Sequence, residues 1–191
     1  ATIEDLDVRV SGRRLTVRAG DDLLNEHATF PVYIDPTYSK YYQKWIPVNK
    51  TRPDTKWVSG DAWPREVIRV GSNYDSHSDI WRAHMQFDVS TLKGKRIIKT
   101  PSVDAYASHS AACAGESLAL WQTNAIDGNT PTWDGMSGKW LHGAALQTKT
   151  VKANAACSNQ SPGWVKFNAA GVKTHVQRHA DANYNSITFG L

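Results

Sequence analysis

The sequence specifies an all-β fold, an antiparallel β-sandwich or jelly roll with one short helix. Three observations lead there. Apolar residues recur at every second position over most of the chain, Gly, Pro, Asn and Ser separate these short runs, and only one stretch has helical spacing. In "LDVRVSGRRLTVRA" Leu6, Val8 and Val10 share a face, Ser11-Gly12-Arg13 turns, and Leu15, Val17 and Ala19 continue on a return strand, which makes a hairpin. "FPVYI" sets Phe30, Val32 and Ile34 on one face. "WRAHMQFDV" is the clearest strand, with Trp81, Ala83, Met85, Phe87 and Val89 alternating with Arg82, His84, Gln86 and Asp88. Further strands are expected at "EVIRVG", "SVDAYAS", "SLALWQT", "GWVKF" and "SITFGL". The exception is "FNAAGVKTHVQRHA", where Val172 and Val176 lie four apart and Asn168 is placed to cap a helix of about two turns.

Many short strands with one small helix imply two sheets that bury their inner faces against each other. Residues 38–66 read differently, with three tyrosines, three tryptophans and three prolines but little periodicity, and are expected to form a long crossing loop or extended edge. Residues 1–36 form an appended hairpin-like unit and residues 37–191 the main domain.

At 191 residues the chain is long enough to bury a core without a disulfide framework. No apolar run approaches the ~20 residues that span a bilayer, so membrane insertion is not expected. Residues 1–20 alternate instead of showing a basic start and an apolar block, so any export signal would lie upstream. Net charge is +4, but the 22 Lys and Arg are scattered in pairs such as Arg13-Arg14 and Lys95-Arg96 and never form a run of five. That pattern suits solvated strand faces, with attraction to an acidic surface such as a cell wall as the alternative; nucleic acid is not an expected partner. The only cysteines, Cys113 and Cys157, lie in the turn-like settings "SAACAG" and "NAACSNQSPG". A bridge between two loops is expected, and with it an oxidising, extracellular compartment.

The run "WRAHMQFDVSTLKGKRIIKTPSVDAYASHSAAC", followed by "LALWQTNAI", "TPTW", the second cysteine, "GWVKFNAAGV" and "SITFGL", resembles the DNRLRE domain family of secreted and surface proteins, especially of actinobacteria. The likeness extends from about Pro31 to Leu191, although the six-letter string that names the family is absent and the sequence stops at "TFGL", where relatives carry on. The resemblance implies an extracellular antiparallel β-sandwich carried in larger multidomain proteins, beside lectin-like or toxin-like neighbours. Some such domains are classed with carbohydrate-binding modules. It also implies that Cys113 and Cys157 pair. At the matching positions, Asp88 suits an acceptor for backbone N–H groups of the next turn, and Gly94 suits the following bend.

For catalysis the sequence offers no GxSxG, no HExxH and no acid pair with recognisable context. His84 is expected on a polar strand face and His77, His109 and His142 in turns, so none is taken as catalytic. His175 and His179, four apart on the helix, give only an adventitious metal pair. No cofactor is expected except a structural calcium, for which "GSNYDSHSD" supplies Asn73, Asp75 and Asp79 and "DGNTPTWDG" supplies Asp127, Asn129 and Asp134. The strongest candidates are aromatic platforms for a pyranose ring: Trp57, Trp63, Trp45, Tyr41 and Tyr42 in the aperiodic stretch, and Trp140 beyond the Gly135–Gly138 turn. Trp121, Trp133 and Trp81 are assigned to core and loop anchoring. The resulting expectation is a non-catalytic extracellular module that binds carbohydrate, such as a polysaccharide or cell-wall polymer. Two readings compete with it: a spacer or protein-interaction domain contacting neighbouring domains of its parent protein, and, more remotely, a polysaccharide-active enzyme, which would need paired carboxylates.

Overall fold

A computed structural model describes residues 39–57, 67–72, 78–126, 128, 131–140 and 143–191, together with the backbone of 7–11 and 14–18. The chain divides into two compact units, residues 1–38 and 39–191. In the first, β1 (Asp7–Ser11) pairs antiparallel with β2 (Arg14–Arg18), Val8 opposite Val17 and Ser11 opposite Arg14, the register of the expected hairpin. The expected strand at "FPVYI" lies outside the described residues.

The second unit is all-β and antiparallel around one large sheet. Its strands are β3 (Lys44–Asn49), β5 (Ile80–Asp88), β10 (Ser186–Gly190), β7 (Glu116–Thr123) and β8 (Gln147–Val151), in that spatial order, with the two-residue β4 (Gly71–Ser72) pairing with the start of β5. A separate ribbon pairs β6 (Val103–Ala107) with β9 (Gly163–Phe167). Helix α1 (Trp133–Ser137) is short; helix α2 (Ala170–Asp181) is the one substantial helix among the described residues.

The register assigns residues to faces. Trp45 lies opposite Met85, Ile187 opposite Phe87 and Phe189 opposite Met85, so these side chains share one face. That face packs with Val103 and Phe167 of the ribbon and with Val172 and Val176 of α2 in one apolar cluster. Val172 and Val176 thus do what their spacing implied, although α2 runs for 12 residues and Asn168 does not cap it: Ala169 is the N-cap residue and has no side-chain cap. The start of α2 is instead tied to β8 by Gln147 Oε1, which accepts the Asn168 and Ala169 N–H groups at 2.7 and 3.1 Å.

The opposite face of the sheet is covered too. Ile46 and Val48 form a second cluster with Ile126 and Met136, against which Trp133 packs. This second layer bears on two expectations. Of the two forms expected for residues 38–66, a long crossing loop or an extended edge, β3 supplies the second: it lies at the edge of the large sheet. Its residues 45–49 are all buried, and a strand covered on both faces loses the alternation by which strands are recognised. The expectation for His84 is corrected: it is not on a solvated face, and its side chain is fully buried. β8 was also not foreseen, since "QTKTV" carries one apolar residue and lies at the sheet edge, where polar side chains are tolerated. Among the described residues 67–71 of "EVIRVG", only Gly71 lies in a strand.

Asp88 and Gly94 play the local roles expected of them. Asp88 Oδ1 accepts the Ser90 N–H at 2.9 Å, and hydrogen bonds from Ser90 hold the Asp88 carboxyl below its usual range. Gly94 takes a left-handed φ of 63° and donates its N–H to Ala180 of α2 at 2.9 Å. Cys113 and Cys157 form the disulfide, with Cα atoms 5.5 Å apart, joining the loop before β7 to the loop after β8. No helix of the described residues is long and apolar enough to cross a membrane.

Candidate functional site

Among the described residues, the ribbon carries the most exposed paired aromatics. Along β6, Val103 faces the core and Asp104 and Tyr106 face outward; along β9, Phe167 faces the core and Trp164 and Lys166 face outward. The register sets Tyr106 directly opposite Trp164 and Asp104 opposite Lys166. The rings meet edge to face, with centroids 5.4 Å apart and planes at 72°, while Trp164 is 71 % and Tyr106 56 % exposed. Lys166 Nζ lies 3.7 Å from Asp104 Oδ2, giving the pair a polar neighbour on the same face. Cross-strand packing accounts for the contact between the rings but not for so much indole left in water. Neither residue was among the sequence candidates. The signal was present, since both fall on the solvent phase of otherwise well-alternating strands.

A second feature closes the end of β3. Asn49 is buried, and its Oδ1 accepts the backbone N–H groups of Thr51 (2.9 Å) and Arg52 (3.1 Å) and the Thr51 hydroxyl (2.6 Å), turning the chain out of the sheet. Asn49 Nδ2 donates to Asp79, whose carboxylate also accepts from Trp81 Nε1 at 3.3 Å and lies 3.0 Å from Thr51 Oγ1, which shares its one proton between Asp79 and Asn49 Oδ1. Trp57 tilts against Trp81 with centroids 5.5 Å apart, and the guanidinium groups of Arg52 and Arg69 each lie 6.0 Å from an indole centroid, over Trp57 and Trp81 respectively. Together these residues line a recess of ≈ 380 Å³. The recess brings Trp57 and Asp79 together, although the sequence offered them for different ligands.

The third feature is a packed layer. Trp140 seats its ring on Gly190, lies 5.1 Å from His84 and meets Trp121 edge to face at 6.2 Å. Arg82 lies 4.7 Å from the Trp133 centroid and 5.1 Å from that of Trp140, so its cation sits between two indoles. Trp140, expected to be displayed, is half-buried here and covers the sheet.

The other candidates divide plainly. Tyr41 and Tyr42 are exposed just before β3, whereas Trp45 is a core residue of β3 and presents no surface to a ligand. Trp63, Asn73 and Asp75 lie outside the described residues, as do His77, Asp127, Asn129 and His142. Asp79, the described member of its calcium set, accepts from Asn49 Nδ2 and Trp81 Nε1 and shares the Thr51 hydroxyl proton with Asn49 Oδ1, a use of the carboxylate that requires no ion. Among the described residues, no three His, Cys, Asp or Glu side chains are grouped to hold a metal. His175 is buried; its Nδ1 accepts from Arg178 Nη2 at 2.8 Å, and the His179 ring lies 4.4 Å away, so the pair belongs to the packing of α2 on the sheet. Burial, with the charges of His179 and Arg178 adding, pushes His175 down to about 3.

Compared with known proteins, the chain matches no protein-family model and no curated protein sequence.

Proposed function

We propose that residues 39–191 form a non-catalytic glycan-binding module of a larger secreted or surface protein, as the likeness to DNRLRE domains implies. The observation that carries this reading is the Tyr106–Trp164 pair. An exposed indole beside a phenol offers polarisable apolar surface to the C–H face of a pyranose, and the adjoining Lys166 and Asp104 supply a donor and acceptors for its hydroxyls. Both strands are held from behind by Val103 and Phe167 in the core, so little ordering remains to oppose binding. The Cys113–Cys157 disulfide supports an oxidising, extracellular setting.

Co-sedimentation with a panel of insoluble wall and plant polysaccharides tests the reading. The parent protein is expected to sediment with at least one of them, and Trp164→Ala to lose about tenfold in affinity, the equivalent of one stacking contact. No sedimentation with any polymer, from protein shown to be folded, overturns the reading and leaves the pair as a protein-contact surface.

A further inference from the structure

The exposed pair on the ribbon has a shape as well as a position. Side chains two residues apart on one strand leave the sheet on the same side, so platform rings placed that way can present their faces in one plane. Tyr106 and Trp164 are placed otherwise, as directly opposite residues of neighbouring strands. Their rings meet edge to face, with planes 72° apart and centroids at 5.4 Å. Two surfaces at that angle form a corner instead of a floor. Phe167, the remaining aromatic of the two strands, is buried in the core, so β6 and β9 add no third ring that would extend either wall. The next outward row, ~7 Å along the strands at two residues' rise, holds the exposed Asp104 and Lys166, whose Oδ2 and Nζ lie 3.7 Å apart.

We infer, on the basis of the glycan reading above, that this face takes a single glycan chain, separated from its neighbours, and not the flat face of a crystalline polymer. A flat array of packed chains is wider than the corner, so it can lie on one of the two rings only, and the other ring, inclined at 72°, holds the array away. A lone chain is narrow enough to enter. One pyranose puts its C–H face on the indole of Trp164, while its edge, or the next sugar of a twisting chain, meets the phenol of Tyr106. The polar row leads to the same choice. In a crystalline face the sugar hydroxyls are already bonded to neighbouring chains, so covering Asp104 and Lys166 with it removes water from both charges and returns few hydrogen bonds. The hydroxyls of a separated chain are free to donate to Asp104 and to accept from Lys166 in place of that water.

The test compares crystalline and separated chains of like chemistry: microcrystalline against acid-swollen cellulose, and crystalline chitin against soluble glycol chitin, with arabinoxylan and galactomannan as further soluble chains. Binding isotherms, by depletion for the solids and by calorimetry for the soluble polymers, give affinities that do not depend on how many sites each form exposes. At least one swollen or soluble probe is expected to bind, and to do so at least about tenfold more tightly than either crystalline solid. Trp164→Ala and Tyr106→Ala, each shown to be folded by thermal unfolding, should each weaken that interaction about tenfold, since both walls of the corner are in use. Affinity for a crystalline solid equal to or tighter than that for the separated chains overturns the inference and leaves the glycan reading standing. A Tyr106→Ala variant with parent-like affinity, where Trp164→Ala has lost it, overturns the inference in the same way. Binding to no probe in either form removes the glycan reading, and the inference with it.

Discussion

Acidification from pH 7.5 to 5 should destabilise the fold, through two histidines that folding keeps neutral. His84 is fully buried in the layer between the sheet and Trp140; burial, with the charge of Arg82 adding, pushes it down to about 4. His175 is held at about 3 beneath α2. In the unfolded chain each ring takes a proton near the ordinary histidine value of about 6.5. Between that value and the folded ones, the unfolded state binds more protons, so stability rises with pH. The contribution of the neutral rings is therefore complete above pH ~7.5 and is lost as pH falls through 6.5 towards 4 and then 3. At pH 5 the unfolded chain lies about 1.5 pH units below its own histidine pKa, which at 1.36 kcal/mol per unit is about 2 kcal/mol for each ring. Urea unfolding followed by tryptophan fluorescence at pH 7.5, 6 and 5 measures this directly. His84→Leu removes one ring and its two buried nitrogens, which have no partner among the described residues, and should recover about 2 kcal/mol of the acid loss, the rest staying with His175 and with His179, which burial also lowers. A parent stability that is flat between pH 7.5 and 5, or a variant whose acid loss equals the parent's, would refute the burial argument.

Two further outcomes follow from packing and connectivity. A Cβ added at Gly190 would fall 2.5 Å from Trp140 Cη2 and 2.9 Å from Thr123 Cγ2, so Gly190→Ala should cost about 2 kcal/mol by overpacking and shift tryptophan emission as Trp140 lifts; an unchanged thermal midpoint contradicts that packing. The Cys113–Cys157 bridge spans a sequence separation of 44, for which loop closure gives about 4 kcal/mol. The double Ser variant should lose stability on that order in urea, and the parent made under oxidising conditions should show no free thiol by intact mass.

The parts of the fold that were legible in sequence are those with one wet and one dry face. The alternation of "VDAYA" and "GWVKF" survives because the ribbon is covered on one side only. β3 was legible only as part of an aperiodic, aromatic-rich loop or extended edge, for the opposite reason: Trp45, Ile46 and Val48 are claimed by clusters on both faces. The same two-sided covering misplaced His84, since a polar residue on the second phase of a strand resembles a solvated one until the layer above it is known. Site residues were harder because exposure, not residue type, separates platform from packing. Trp45 and Trp140 looked available from their neighbours in sequence, whereas Trp164 looked like any strand tryptophan. Only the pairing of β6 with β9 shows that Tyr106 stands beside Trp164 on the outer side. The recess depends on side chains from residues 49 to 81, a juxtaposition that spacing alone does not reveal.

The central claim is that the outer face of the β6–β9 ribbon binds a glycan. Its most direct measurement is calorimetric titration of a soluble oligosaccharide from whichever polymer sediments the protein, into the parent, Trp164→Ala, Tyr106→Ala and the double variant. Saturable binding by the parent, weakened about tenfold in each single variant and by less than the product of the two in the double variant, is the expected result, because contacting residues do not act additively. Parent-like affinity in the double variant, with the fold intact, would contradict the claim.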